Sequence, residues 1–452
     1  MFQVEHGKME VAEHGVITSE YIDYNRRDVL ATIELTEEVL AEFSAHPVNL
    51  QATKSYSPAS IAKAYLRGMG ITPMLDRVGV PTNPAPLGAA TSTFYGGRAE
   101  CNIRNTPVPV SVCDFTSLYP TVDILMRIWD LLTFERVEVV DCTNELRRTL
   151  DTLTWLTAST RRCGRNSWAV CRLDRRATFS RLCHLRQYPR AMHVGVNRLH
   201  SPRTLWYSIP DVIASTLLTG KPPRVVRAIR FVPAGERLAS LEPVKLAGTI
   251  PVDPQKVDFF QTVVEQRQRL KTQTEEHPGT CPCELCRAQR FLKVLANSGS
   301  YGIYVEMLRE DSAEPQELTV HGAWDDAWAT RTTAIETAQE FCYPPVGAAI
   351  TGAARLMLAL VERLVTDAGG AWLFADTDSV AIVATGTGRL IPCEGGPHVT
   401  PDGRPAVLAL STEQVKDIRA TLNRLNPYDP DAASNLFKLE SDSWGYAIST
   451  KR

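Results

Sequence analysis

The sequence predicts an α+β fold, and two kinds of pattern in its 452 residues indicate this. Helical patterns recur along a chain that is long enough for two or three domains with buried cores. Strand patterns occur separately, as an alternating segment at 108–112 and as two short apolar segments at 371–375 and 380–384. We therefore expect helices packed on a sheet.

The predicted helices differ in character. Residues 20–44 have apolar side chains near helical spacing, which predicts an amphipathic helix. Residues 254–271 and 285–298 predict two helices joined by a loop that carries cysteines. A long Ala/Leu-rich helix is predicted at 345–366, and Gly369-Gly370 is a plausible stop for it.

The strand patterns place acids at their ends. Val108, Val110 and Val112 alternate with other residues, which predicts a half-buried strand ending at Asp114. The two later apolar segments predict a hairpin with Asp376 and Asp378 in its turn. Such acids can converge on two divalent metal ions, which stabilise the attacking and leaving oxygens of phosphoryl transfer. Mg²⁺ suits carboxylates and phosphates, although acids are also common as plain turn formers.

Cations at helical spacing form a second group. Arg267 and Lys271 lie four residues apart, as do Lys293 and Asn297, so each pair shares a helix face. An antiparallel helical pair could direct both rows at one phosphate chain. Such pairs on exposed faces also occur merely as solvated surface.

Charge and composition limit the class of protein. The net charge is −2, yet the segment 161–203 holds eleven arginines and one acid, Asp174. Such a local patch can bind phosphates, or it can be a solvated basic loop. The N-terminus has no secretory pattern, and the apolar stretch 353–365 is too short and too charged to span a bilayer. We expect a cytoplasmic protein without a membrane partner.

The eleven cysteines do not predict a disulfide framework. Cys281, Cys283 and Cys286 cluster, and with His277 they could bind Zn²⁺ as a four-ligand site. The CxC step is less typical of zinc sites than CxxC, so reduced loop thiols are the competing interpretation.

Three motifs in order resemble those of family B DNA polymerases. Residues 114–120 (DFTSLYP) resemble the first polymerase motif, DxxSLYP, and residues 374–379 (FADTDS) resemble the third, GDTDS. Between them, residues 293–302 (KVLANSGSYG) resemble the second, KxxxNSxYG. Residues 267–271 (RQRLK) are similar to the RxxxK element of the family's fingers. The resemblance covers nearly the whole chain.

The resemblance implies specific roles. Asp114 and Asp378 would be the main metal ligands, with Asp376 accessory and the Phe115 carbonyl assisting. The cofactor would be two Mg²⁺ ions, with Mn²⁺ as a substitute. The residues implied to contact the nucleotide, with Tyr119 as the steric gate against a 2′-hydroxyl, are Ser117, Leu118, Tyr119, Arg267, Lys293, Asn297 and Tyr301. A core tyrosine is the alternative for Tyr119.

Two departures from the family pattern stand out. Ala375 replaces the usual glycine, although alanine can occupy most extended geometries. Tyr301 comes eight residues after Lys293 rather than seven, which would rotate it by about 100° on a continuous helix. A π-bulge or a break at Gly299 would absorb the extra residue.

The resemblance also implies a domain plan. It comprises an exonuclease-like remnant (1–45), a linker (46–107), a palm with a basic insertion (108–250), helical-hairpin fingers (251–304) and more palm (305–452). Residues 81–97 are predicted as a linker and 142–250 as irregular. Residues 94–97 (FYGG) are similar to the family's YxGG linker, with Gly96 and Gly97 approaching DNA, although an ordinary Gly-Gly turn remains open.

Both ends are expected to be incomplete. Residues 24–28 (YNRRD) resemble the third exonuclease motif, but without the acids of two earlier motifs we expect no proofreading. Residues 436–440 (LFKLE) resemble the palm strand before the primer-contacting KKRY motif, which leaves Lys451 and Arg452 as DNA contacts. The thumb is expected to be absent.

The function that the resemblance implies is template-directed DNA synthesis. The partners would be primer-template DNA and deoxynucleoside triphosphates, with a priming protein or a complementary polymerase fragment as further possibilities. The alternative is an unproductive DNA- or nucleotide-binding fragment, or one part of a split polymerase.

Overall fold

The computed structural model describes residues 4–7, 9–10, 14–78, 84–154, 169–173, 204–279, 281–321, 326–440 and 445–447. The chain divides into two compact units. The first unit comprises residues 1–71 and 239–299, and the second comprises 72–238 and 300–452. Lys451, Arg452 and most of the basic segment 161–203 lie outside the described residues.

The first unit is mainly helical. Its elements are α1 (Ser19–Ser44), a 3-10 helix (Ala52–Lys54), α2 (Pro58–Gly68), the strands β7 (Val244–Leu246) and β8 (Ile250–Val252), α9 (Phe259–Gln273) and α10 (Glu284–Gly299). The helix predicted at 20–44 is confirmed as α1, but its apolar side chains are exposed, with Val29 52% and Ile33 48% accessible. The helices predicted at 254–271 and 285–298 are confirmed as α9 and α10. Asp258 caps α9 by accepting hydrogen bonds from the Phe260 and Gln261 amides, so that helix begins later than predicted.

The second unit contains the larger core. Its helices are α3 (Met74–Val78), α4 (Ala85–Ser92), α5 (Leu118–Met126), α6 (Ile128–Thr133), α7 (Thr143–Asp151), α8 (Ile209–Thr219), α11 (Pro344–Asp367) and α12 (Thr412–Asn423). Its strands are β1 (Ala99–Cys101), β2 (Val108–Phe115), β3 (Phe134–Asp141), β4 (Ala169–Leu173), β5 (Leu205–Ser208), β6 (Val225–Arg237), β9 (Met307–His321), β10 (Ala327–Ala338), β11 (Trp372–Asp376), β12 (Ser379–Thr385), β13 (Thr387–Pro392), β14 (His398–Val399), β15 (Pro405–Ser411), β16 (Phe437–Leu439) and β17 (Gly445–Ala447).

In the described part of the chain, nine strands form the main sheet, which is mostly antiparallel. The order β1-β11-β12-β15-β13 forms its path, β14 pairs with β15, and β2 pairs with β12, β16 and β17. The predicted strand and hairpin are confirmed, but β2 is not half-buried. As an interior strand it buries both faces, from Val110 on one to Cys113 on the other.

Two predictions about connecting segments were wrong. The supposed linker 81–97 contains α4, whose Ala89 and Ala90 are small enough to pack closely on Trp206 of β5. The region 142–250 is not irregular where it is described. It contains helices α7 and α8 and three strands of a four-stranded sheet, which has the order β3-β6-β4-β5 and whose first strand, β3, precedes this region. Its polar and basic composition concealed the short buried strands.

Helix α11 is the central helix of the second unit. It is long and apolar enough to cross a membrane by length and composition, but 89% of its most apolar window is buried within the fold. It packs along α8, where Gly352 lies so near Ser208 that an added Cβ would clash with the Ser208 Oγ. The helix ends before Gly369, which has a φ of +75°.

A buried histidine makes the stability of the first unit depend on pH. The Tyr65 hydroxyl accepts a hydrogen bond from the Ala247 amide, and it also forms a hydrogen bond with His46 Nδ1 at 2.8 Å. Burial lowers the pKa of His46 below its ordinary 6.5. Below about pH 6.5 the unfolded chain therefore binds the proton first, and stability falls as the pH decreases.

Urea denaturation at several pH values checks this prediction. Between about pH 7.5 and 5.5, His46→Phe should flatten the decline in unfolding free energy of the first unit. The exposed His14, changed to Gln, is the matched control and should leave the decline unchanged. An undiminished decline in His46→Phe would show that another group is responsible.

Candidate active site

Strand pairing brings Asp114 beside the acidic turn. Asp114 of β2 lies opposite Ser379 of β12, and the Phe115 amide donates to the Asp378 carbonyl at 2.9 Å. Directly opposed residues in an antiparallel pair have Cα atoms about 4.5–5.5 Å apart. The backbones that carry Asp114 and Asp378 are therefore neighbours, although more than 260 residues separate them in sequence.

The turn between β11 and β12 is tight. The Asp378 amide donates to the Asp376 carbonyl at 2.6 Å, and the Thr377 amide donates to the Arg98 carbonyl at 2.8 Å. Thr377 has a φ of +57°, an uncommon conformation for a β-branched residue. Ala375 is buried and paired with Val380, so it does not need the freedom of glycine. The position under strain is the threonine.

Negative charge accumulates at this turn. Burial raises the pKa of Asp378, and the neighbouring charges of Asp376 and Glu440 raise it further. The Lys438 ammonium lies 3.9 Å from Asp114 Oδ2 and lowers the pKa of Asp378, so it faces both acids. One lysine leaves an excess of carboxylate charge. Carboxylate oxygens are the ligands that a hard divalent cation such as Mg²⁺ prefers.

The first turn of α5 presents backbone amides next to the acids. Ser117 precedes this helix with a φ of +47°, in the left-handed region, and the Leu118 side chain is buried. The Thr116 amide donates to the Leu436 carbonyl, which attaches this segment to the residues that precede β16. The strained Ser117 thus redirects the chain from strand to helix and leaves the first amides of α5 available for hydrogen bonds.

Tyr119 belongs to a column of aromatic rings. Its ring stacks on Tyr301 with centroids 4.9 Å apart and an interplanar angle of 11°, and Tyr301 stacks in turn on Phe94 at 6.1 Å. Burial raises the pKa of Tyr119 to about 12, so its hydroxyl is neutral. The position of Tyr301 follows from the end of a helix. Helix α10 stops at Gly299, and this interruption of the helix absorbs the extra residue of the second motif.

Gly97 lies against this tyrosine. A Cβ added at Gly97 would meet the Tyr119 hydroxyl at 3.1 Å and the Thr377 side chain at 3.3 Å, whereas one added at Gly96 would meet nothing within 4 Å. Arg355 supports this loop, because its Nη1 donates to the Tyr95 and Gly96 carbonyls at 2.8 and 2.7 Å. The loop 94–97 therefore packs closely onto the acidic turn rather than forming an ordinary surface turn.

The cationic residues belong to the first unit. Arg267 and Lys271 share one face of α9, and the exposed Lys293 and Asn297 share one face of α10. The two helices are antiparallel, because Gly299 at the end of α10 lies near Phe259 at the start of α9. The helical pair predicted from the sequence is confirmed, whereas its use in nucleotide binding stays a prediction.

The cysteine cluster lies in the connection between α9 and α10. The ligand atoms of His277, Cys281, Cys283 and Cys286 all lie within 4.8 Å of one another. The Cys286 amide donates to the Cys283 sulfur and, with hydrogen bonds from Cys281 and other neighbours, lowers the pKa of Cys283 to about 6. The convergence of the histidine with all three thiols favours the zinc interpretation over unrelated loop thiols.

Sequence reasoning missed several residues around the site. Arg355 is 2% exposed, and Arg98 is equally buried between Glu100 and Glu362. Lys438 and Glu440 lie on the segment 436–440, whose sequence predicts only a strand. The signal available in the sequence was a charged residue within an otherwise apolar element. Such a residue predicts an oppositely charged partner nearby, since a buried charge requires one.

Comparisons with known proteins found similarity among solved structures. No family model matches the sequence, and no curated protein matches it. The solved structures to which the chain is similar include DNA polymerases.

Phi29 DNA polymerase is one of these. Its orthorhombic crystal form has a TM-score of 0.46 and 15% identity, with 90% of this chain and 61% of that one covered. Its complex with primer-template DNA and incoming nucleotides has a TM-score of 0.41 and 15% identity. The family B DNA polymerase of the archaeon Pyrobaculum calidifontis has a TM-score of 0.32 and 13% identity, with 96% of this chain and 36% of that one covered. The chain thus spans about three fifths of phi29 polymerase.

Proposed function

We propose that this chain catalyses template-directed DNA synthesis, adding deoxynucleotides to a primer 3′ end. The observation that carries the proposal is the pairing of β2 with β12, which sets Asp114 beside the Asp376-Thr377-Asp378 turn. The three motifs that resemble family B polymerases contribute the acids, Tyr119 and Tyr301, and these residues lie in one unit.

The carboxylates would hold two divalent ions. Asp114 and Asp378 are the proposed ligands, with Asp376 accessory and the Phe115 carbonyl assisting. When bound, the two Mg²⁺ ions would stabilise the charge that develops on the attacking and leaving oxygens. The accumulated negative charge at the turn supports this assignment, because it favours a bound cation.

The other residues would position the nucleotide. The backbone amides near Ser117 and Leu118, where α5 begins, are suited to phosphate oxygens. Tyr119, held flat against Tyr301, would support the sugar and exclude a 2′-hydroxyl. Arg267, Lys293 and Asn297 would bind the triphosphate from the helical pair. In this proposal 251–304 act as the fingers and 108–250 and 305–452 as the palm.

Primer extension tests the function. The purified chain is given a labelled primer on a longer template, the four deoxynucleoside triphosphates and Mg²⁺. We expect the added nucleotides to follow the template sequence and the reaction to stop when the metal is chelated. DNA binding without extension would support the alternative of a nonproductive fragment, and extension only after adding a second polypeptide would indicate a split enzyme.

The two glycines of the 94–97 loop provide a matched pair of variants. Gly97→Ala should lower the extension rate by about 10-fold, because its methyl group would displace the Tyr119 ring or the acidic turn. Gly96→Ala has open space at that position and should stay within about twofold of the wild type. Single-turnover rates at saturating DNA measure the difference. Equal rates for the two variants would disprove the positioning role of Gly97.

A further inference from the structure

The four residues of the cysteine cluster are arranged around a common point. His277 Nδ1 lies 3.4 Å from the sulfurs of Cys283 and Cys286 and 3.7 Å from that of Cys281. A ring nitrogen carries at most one hydrogen, so it can make one such hydrogen bond rather than three. The convergence therefore requires an explanation other than hydrogen bonding.

Tetrahedral zinc accounts for these distances. Zinc–nitrogen and zinc–sulfur bonds of about 2.1 and 2.3 Å at a tetrahedral angle separate the two ligand atoms by about 3.6 Å. The three observed nitrogen–sulfur distances of 3.4, 3.4 and 3.7 Å lie on both sides of that value. The mutual limit of 4.8 Å among all four ligand atoms also accommodates the slightly longer sulfur–sulfur edges.

Local structure holds each ligand in place. The Cys281 amide donates to the Pro278 carbonyl in a turn, and Arg290 donates to the Cys281 carbonyl at 3.0 Å. Cys283 immediately precedes α10, and its carbonyl accepts from the Arg287 amide at 3.0 Å. Cys286, in the first turn of α10, is 6% exposed. The start of α10 thus fixes the positions of two of the ligands, Cys283 and Cys286.

The surrounding charge also suits a thiolate-rich site. Three thiolates, one neutral imidazole and Zn²⁺ have a net charge of −1. The positive end of the α10 dipole faces this cluster, and Arg290 donates to its backbone. Both features stabilise a negatively charged centre.

We propose that His277, Cys281, Cys283 and Cys286 bind one structural Zn²⁺ ion at the connection between α9 and α10. Four protein ligands leave no open position for a substrate, which distinguishes this centre from a catalytic one. The ion would join the end of α9 to the start of α10. It would thereby hold the face with Lys293 and Asn297 in a constant relation to the face with Arg267 and Lys271.

Metal analysis tests the proposal independently of catalysis. The full chain, purified under reducing conditions without added metal, should contain about one zinc per chain. Cys283→Ser and Cys286→Ser should lose this zinc. Cys393→Ser, a buried cysteine of the other unit, is the matched control and should retain it.

A measurement on the wild type guards against variants that fail to fold. After zinc is removed by a chelator, added Co²⁺ should produce a thiolate-to-cobalt charge-transfer band that saturates at one equivalent. Both Zn²⁺ and Co²⁺ should also protect three thiols from a thiol reagent. A chain that contains no zinc and gives no band with Co²⁺ would overturn the proposal, as would zinc retention in both cysteine variants.

Discussion

The Asp378→Asn variant is expected to lose primer extension by at least about 10³-fold while becoming more resistant to unfolding. Activity falls because asparagine lacks the charge that a divalent ion requires. Stability rises because burial and the charges of Asp376 and Glu440 penalise the ionised Asp378 carboxylate in the folded state. The same residue would thus be costly to the fold and required for the reaction.

The pH dependence follows from the raised pKa of Asp378. The folded chain holds this proton more tightly than the unfolded chain, so ionisation near neutral pH destabilises the fold and acid removes that penalty. The stability gain of Asp378→Asn, measured by thermal unfolding in the presence of a chelator, should therefore be largest near neutral pH. It should vanish as the pH falls towards the ordinary pKa of aspartate, about 3.9.

Two further variants complete this test. Asp114→Asn should lose extension to a similar degree while still binding primer-template DNA. The exposed Asp431, changed to Asn, is the control and should alter neither rate nor stability. Full extension activity in either Asp114→Asn or Asp378→Asn would rule out the proposed metal ligands.

The Arg355→Met variant is expected to lose about 3–5 kcal/mol of unfolding free energy. Arg355 and Asp211 are 2% and 1% exposed and joined by two hydrogen bonds, from Nε at 2.8 Å and Nη2 at 2.7 Å. Removing the guanidinium leaves the Asp211 carboxylate buried without its cation. The guanidinium also lies 3.9 Å from the centroid of the Tyr95 ring, so the 94–97 loop should loosen and primer extension should fall as well.

The same helix supplies a control for this loss. Arg363 of α11 pairs with Asp367 at 2.8 Å and donates to the Leu217 carbonyl at 2.9 Å, but the side chains of this ion pair are 38% and 48% exposed. Arg363→Met should therefore cost no more than about 1 kcal/mol. Urea denaturation of both variants measures the contrast, and equal losses would contradict the importance attached to the buried pair.

Two additional variants separate charge from shape. Arg355→Lys should recover little of the unfolding free energy that Arg355→Met loses. One ammonium cannot replace a planar group that forms hydrogen bonds with Asp211 and with two carbonyls at once. Adding Asp211→Asn to Arg355→Met should recover part of the loss, since the uncompensated charge is then gone. If the loss of unfolding free energy in the double variant equals the sum of the losses in the two single variants, Arg355 and Asp211 are not energetically coupled.

What the sequence alone determined was local. Alternating valines predicted β2, the apolar segments around 376–378 predicted the hairpin, and helical spacing predicted α9, α10 and α11. These succeeded because each pattern depends on neighbours within a few residues. The prediction of an irregular segment at 142–250 was wrong because the composition there is polar. The buried strands of this segment are short, and their partner strands are distant in sequence.

What only the tertiary structure decided was which residues meet. Arg355 and Asp211 are 144 residues apart, and neither lies in a pattern that indicates the other. The stacking of Tyr119 on Tyr301 depends on the end of α10 at Gly299, which spacing alone left open. The positions of Asp114, Gly97 and Thr377 depend on strand register. Local propensity specifies elements, whereas register and long-range packing specify the site, because a buried contact is stabilised only once both partners are enclosed.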